Sequence, residues 1–121
     1  MKISYINLCG RDYPLVFSLA ATEKLCEEFG DLDGMLKALD SDNMVKKLSA
    51  TDRVLSILMD AGHVYCSAMG IEVPEKLPCR PADVLDISDP SAISSIFKAI
   101  ASDTKRDVET QSKNVVPTQE S

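Results

Sequence analysis

The stretch from Asp52 to Met69 limits the possible folds more than any other part of the chain. Wound as a helix, Val54, Leu55, Leu58, Ala61, Gly62, Tyr65 and Met69 form one broad stripe, and Ile57, Met59 and Val64 add apolar surface outside it. A helix that is apolar on more than one side needs more than one neighbour, so this segment is read as the core helix. A glycine inside a helix costs about 1 kcal/mol relative to alanine. Gly62, next to Ala61, therefore reads as a place where another helix comes close. Ser49-Ala50-Thr51-Asp52, a capping box with Asp in place of Glu, predicts the start of the segment, and Gly70 its end.

Upstream, Ile3, Tyr5 and Asn7 alternate with Ser4, Ile6 and Leu8, and Tyr13, Leu15 and Phe17 alternate in the same way. With Cys9-Gly10-Arg11-Asp12 as the turn between them, these predict an antiparallel hairpin. Two strands alone are marginal in water, so the hairpin has to lie on the helices or join a neighbour's sheet. Ser18 is suited to cap a helix that carries Ala21, Leu25 and Phe29 on one face and closes on Gly30. Leu32, Met35, Leu36 and Leu39 then predict a shorter helix, with Asp31 and Asp33 available as caps, broken by Asp40-Ser41-Asp42-Asn43. Met44, Val45 and Leu48 read as a brief apolar patch of one or two helical turns.

Downstream, Pro74, Pro78 and Pro81 predict an extended connector, with a further helical turn at Val84, Leu85 and Ile87. Asp89-Pro90 is a helix-start signal, and Ile93, Ile96, Phe97 and Ile100 follow at helical spacing. That stripe has two readings: part of the core, or a partner or self-association face on a helix that a proline-rich connector leaves able to dock elsewhere. The segment after Ser102 is polar and aperiodic and is expected to be disordered. The organisation predicted is mainly α: a small helical domain over residues 1–102 with an N-terminal β-hairpin and about four to six helices, and a disordered C-terminal tail over 103–121. A chain of 121 residues has little length for a second domain, and with aromatics at only 5% its core must be aliphatic, as suits helices packed on helices.

A net charge of −6, with basic residues paired only at Lys46-Lys47 and Lys105-Arg106, argues against nucleic-acid binding. No apolar run approaches the roughly 20 residues that span a bilayer, and MKISYINLC lacks the apolar core of a signal peptide. A soluble cytoplasmic protein is expected. Cys9, Cys26, Cys66 and Cys79 show neither zinc-ligand spacing nor a disulfide framework and read as free thiols. His63 and Cys66, three apart on one helix, are the only pair resembling a base and a nucleophile. The apolar residues around Cys66 are the wrong setting for a thiolate, so no catalytic residue is assigned. Glu27-Glu28, Asp31-Asp33 and Asp40-Asp42 read as helix-end and solvent-facing charge. No phosphate loop or calcium loop is present, and no cofactor or metal is expected.

The segment Gly10-Arg11-Asp12-Tyr13-Pro14-Leu15, the helix with Ala21, Leu25 and Glu28 ending at Phe29-Gly30, and the short Leu-rich helix after it resemble the tail assembly chaperones of long-tailed, siphovirus-like bacteriophages and prophages. The likeness runs from Ile3 to Met69 and rests on a G-[KR]-[DE]-Y start and an E-x-F-G helix end. It implies a small, acidic, mostly helical, non-enzymatic protein that binds the tape measure protein and assists recruitment of tail tube subunits. It also implies homo-oligomerisation, work in the bacterial host cytoplasm, and absence from the finished virion. Contact with the tail tube protein would run through a longer form made by ribosomal frameshifting. The family has no fixed site residues to carry over. A small helical adaptor or regulatory subunit unrelated to phage is the alternative that the composition allows.

Overall fold

The computed structural model describes residues 3–100. Strands β1 (Ser4–Leu8) and β2 (Arg11–Leu15) form an antiparallel hairpin, followed by helices α1 (Leu19–Phe29), α2 (Leu32–Leu39) and α3 (Met44–Met69). A 3-10 turn at Pro81–Asp83 precedes a last helix, α4, over 91–100. The fold is mainly α with an N-terminal hairpin, as the periodicities predict; the tail expected over 103–121 lies outside the described residues.

The hairpin turn is tighter than its sequence suggests. Leu8 pairs with Arg11, so only Cys9 and Gly10 form the loop, and Arg11 and Asp12 belong to β2. Cys9 (φ 55°) and Gly10 (φ 80°) both adopt positive φ, the geometry of a type I′ turn, whose twist matches that of the strands. Cysteine is not a usual residue for this conformation, which is why the loop reads as longer from sequence. Ile6, Leu8, Tyr13 and Leu15 share the buried face of the ribbon. On the other face the Asn7 amide donates to Asp12 Oδ1 at 2.9 Å.

Ser18 caps α1, its hydroxyl accepting from the Ala21 amide at 3.1 Å, and Ala21 and Leu25 point into the core. Asp31 caps α2 through the Gly34 amide at 2.7 Å, while Asp33 pairs with Lys37 in solvent. Met35, Ala38 and Leu39 are the buried side of α2; Leu36 is not among them. Helices α1, α2 and α3 pack on one another, and β2 lies along α3.

Three expectations are corrected here. The core helix starts at Met44, not near Asp52: Asn43 caps it by accepting from the Lys46 amide at 3.2 Å, and the helix runs unbroken for 26 residues. Neither Gly nor Pro lies between Met44 and Asp52, and Thr51, read as part of a cap, bonds back to the Lys47 carbonyl at 2.9 Å, as a threonine within a helix can. Second, Gly62 admits a strand, not a helix. A Cβ there would lie 2.1 Å from the Pro14 carbonyl oxygen, and the Val16 amide donates at 3.3 Å to the Leu58 carbonyl one turn earlier. Third, the helical turn expected at Val84, Leu85 and Ile87 is displaced to Pro81–Asp83. Proline presets the φ of that turn, the Val84 and Leu85 amides close it by donating to the Pro81 carbonyl at 3.1 Å each, and beyond it Asp86 accepts from the Ser88 amide at 3.0 Å in a separate bend.

Asp52, freed from capping, has a different task. It is 8% exposed, and its Oδ1 accepts from the Ala82 amide at 2.9 Å while Arg80 Nη1 lies 3.9 Å from Oδ2. This carboxylate fastens the connector to α3. Asp52→Ala removes the acceptor and leaves a part-buried amide unsatisfied, an expected loss of about 1–3 kcal/mol. Hydrogen exchange at the Ala82 amide should accelerate more than exchange in α1.

Candidate partner-binding site

The chemistry-bearing pair suggested by sequence is not set up for nucleophilic attack. Cys66 is wholly buried and its thiol is pushed up from the ordinary 9.0 by desolvation, the opposite of what a reactive thiolate requires. His63 instead lines a small cavity of about 190 Å³ under the connector, beside Asp60, Lys76 and Cys79. Among the described residues no cluster of three or more His, Cys, Asp or Glu side chains is placed to hold a metal ion. Among the same residues no helix is long and apolar enough to cross a membrane.

Burial at Cys66 has a measurable consequence. Cys9 and Cys79, both exposed, should react with a thiol reagent at the rate of a free cysteine, and Cys66 only as fast as the chain unfolds. The folded thiol titrates above its unfolded value, so its stabilising contribution is complete below pH 9.0 and is lost as the pH rises beyond it. Urea midpoints should fall more steeply above that pH in the wild type than in Cys66→Ala.

What the fold does present is apolar surface. A groove of about 630 Å³ runs between the first two turns of α3, the segment 82–90 and the start of α4. Leu48, Leu85 and Ile93 line it, and Met44 (53% exposed) and Ile87 (69% exposed) stand open to solvent on its walls. Asp86 and Asp89 sit at its edge with Lys47. The backbone amide and hydroxyl of Ser88 both donate to Asp86 Oδ1, at 3.0 and 3.1 Å, and hold that carboxyl below its ordinary range. Asp89 Oδ1 accepts from the Ser91 amide at 2.9 Å and so fixes the start of α4.

A second groove of about 490 Å³ lies between the start of α1 and the C-terminal half of α3, where Leu19 is 87% exposed and Val64 also faces solvent. Its charged residues, Lys24 and Asp60, balance. The outer edge of β1 is a third open surface: among the described residues β1 pairs only with β2.

The stripe read on α4 is divided by the fold. Ile96 is fully buried, with Ala92 and Ala99 beside it in the core; Ile100 packs partly against that core; Ile93 forms a wall of the large groove; and Phe97 is 42% exposed. Ala92 and Ala99 went unnoticed in sequence because alanine carries little hydrophobic signal. Met44, Leu48, Leu85 and Ile87 were visible there as apolar residues left over once the core stripe was assigned, and that surplus is the signal for the groove. Compared with known protein families, characterised proteins and solved structures, the chain matches none.

Proposed function

We propose that the chain is a non-enzymatic tail assembly chaperone of a long-tailed bacteriophage or prophage, one that binds the tape measure protein in the host cytoplasm and is left out of the mature virion. The observation that carries this reading is the groove of about 630 Å³ between α3 and α4, an exposed apolar trough with Met44, Leu48 and Ile87 on its walls. Exposed apolar surface of this kind marks a site where another protein segment docks. The order hairpin, capped helix, short Leu-rich helix, from which the resemblance starts, supports the same reading. A net charge of −6 suits a chaperone that keeps an aggregation-prone helical partner in solution. Recruitment of tail tube protein falls, on this reading, to a frameshifted longer form, with homo-oligomers formed through the open surfaces.

The test is a tagged pull-down from bacterial cells expressing the surrounding gene cluster, with mass spectrometry of what is retained. Recovery of a very long, helix-rich protein is the expected result, together with its move from pellet to supernatant when the chain is co-expressed. Recovery of this chain alone, or of a host enzyme, overturns the reading in favour of a helical adaptor.

A further inference from the structure

We infer that the groove between α3 and α4 receives an amphipathic helix whose apolar stripe is bordered by lysine or arginine. The inference rests on the chaperone reading for the groove's role and adds the chemistry of its occupant. Leu48, Leu85, Ile87 and Ile93 supply the apolar contact. Of the three carboxylates around them, Asp52 already faces Arg80, which leaves Asp86 and Asp89. The hydrogen bonds they accept come from Ser88 and Ser91, which are neutral, and neither is in an ion pair among the described residues. Two fixed negative charges thus border an apolar trough with only Lys47 to offset them.

This balance selects among occupants. A second copy docked groove to groove would bring Asp86 and Asp89 against the same acids, between chains that each carry −6. The chain's own residues 101–121 hold Lys105, Arg106 and Lys113 against Asp103, Asp107, Glu109 and Glu120, with no cationic excess to offer. A helix with cationic borders satisfies the trough and its rim together, apolar contact giving affinity and the rim giving orientation and partner choice.

The test uses the full chain and two synthetic amphipathic helices that share one leucine stripe, the first flanked by lysine and the second by glutamate, followed by fluorescence anisotropy. The lysine-flanked helix should bind at least about tenfold more tightly, and raising the salt to about 0.5 M should remove most of that preference. Ile87→Asp should abolish binding. Asp86→Asn with Asp89→Asn keeps the side-chain oxygens that cap the backbone and should bring the two peptides within about twofold of each other. Circular dichroism checks that each variant keeps its helices.

Equal binding of the two peptides, or binding that survives Ile87→Asp, overturns the inference. So does a dimer that Ile87→Asp dissolves while neither peptide binds, which would make a second copy the occupant. A gain of about tenfold in peptide affinity from Val115→Asp with Val116→Asp would point to the chain's own C-terminal segment and overturn it as well. If the lysine-flanked helix binds but no tape measure protein is recovered, the groove assignment stands and the chaperone reading falls. If that protein is recovered by a chain whose groove takes neither peptide, the reverse holds.

Discussion

Gly62→Ala is expected to destabilise the protein by about 3 kcal/mol, although alanine is the better helix former by about 1 kcal/mol. The added methyl would sit 2.1 Å from the Pro14 carbonyl oxygen and 2.6 Å from its carbon, both backbone atoms that cannot swing aside as a side-chain tip does. Relief requires lifting β2 from α3. That movement would draw Leu15 and Val16, both wholly buried, out of contact and break the Val16 to Leu58 hydrogen bond. The clash outweighs the gain in propensity, and a domain stable by only about 5–15 kcal/mol has little to spare. Urea denaturation measures the loss. Ser67→Ala, on the exposed side of the same helix, provides the control and should cost nothing. A Gly62→Ala variant as stable as wild type would mean that the strand does not rest on the helix backbone there.

Ile96→Ala should cost a similar amount, about 2–5 kcal/mol, because Ile96 is wholly buried and anchors α4 in the core between Ala92 and Ala99. Alanines on either side have no length with which to fill the void. Phe97→Asp, one residue along, should stay within about 0.5 kcal/mol of wild type, since that ring is already 42% exposed. Combining Phe97→Asp with Ile93→Asp separates the two readings of the stripe: it should weaken binding of the lysine-flanked helix at the groove wall and leave α1 to α3 folded. Loss of all helical signal in that double variant would make the whole stripe core. Thermal melts followed by circular dichroism, paired with fluorescence anisotropy of the lysine-flanked helix on the same samples, give both readouts.

The hairpin, the caps at Ser18 and Asp31 and the glycine stops were legible because each depends on neighbours a few residues away. Long-range packing was not. Nothing near Gly62 in the chain reveals that its contact is Pro14, and the choice of a helix as neighbour followed only from helices being the commoner partners of a helical glycine. Asp52 misled for the same reason, since a carboxylate three residues after a serine suggests a cap until Ala82 comes within 2.9 Å of it. The groove was legible in composition but not in place: Met44 with Leu48 and Leu85 with Ile87 are two short apolar pairs almost 40 residues apart, and only the return of the chain after the prolines brings them to one trough.

The seating of β2 on Gly62 also bears on how the chain is made. Pro14 leaves the ribosome 48 residues ahead of the glycine that receives it. At about 5–20 residues per second that is a wait of roughly 2–10 s, during which the hairpin is two marginal strands with no bed to lie on. Its tight Cys9-Gly10 turn can hold the ribbon together locally but cannot cover Ile6, Leu8 or Tyr13. A protein proposed to guard another chain's unburied surface thus begins its own life with the same exposure, which lasts until a residue without a side chain has arrived to receive the strand.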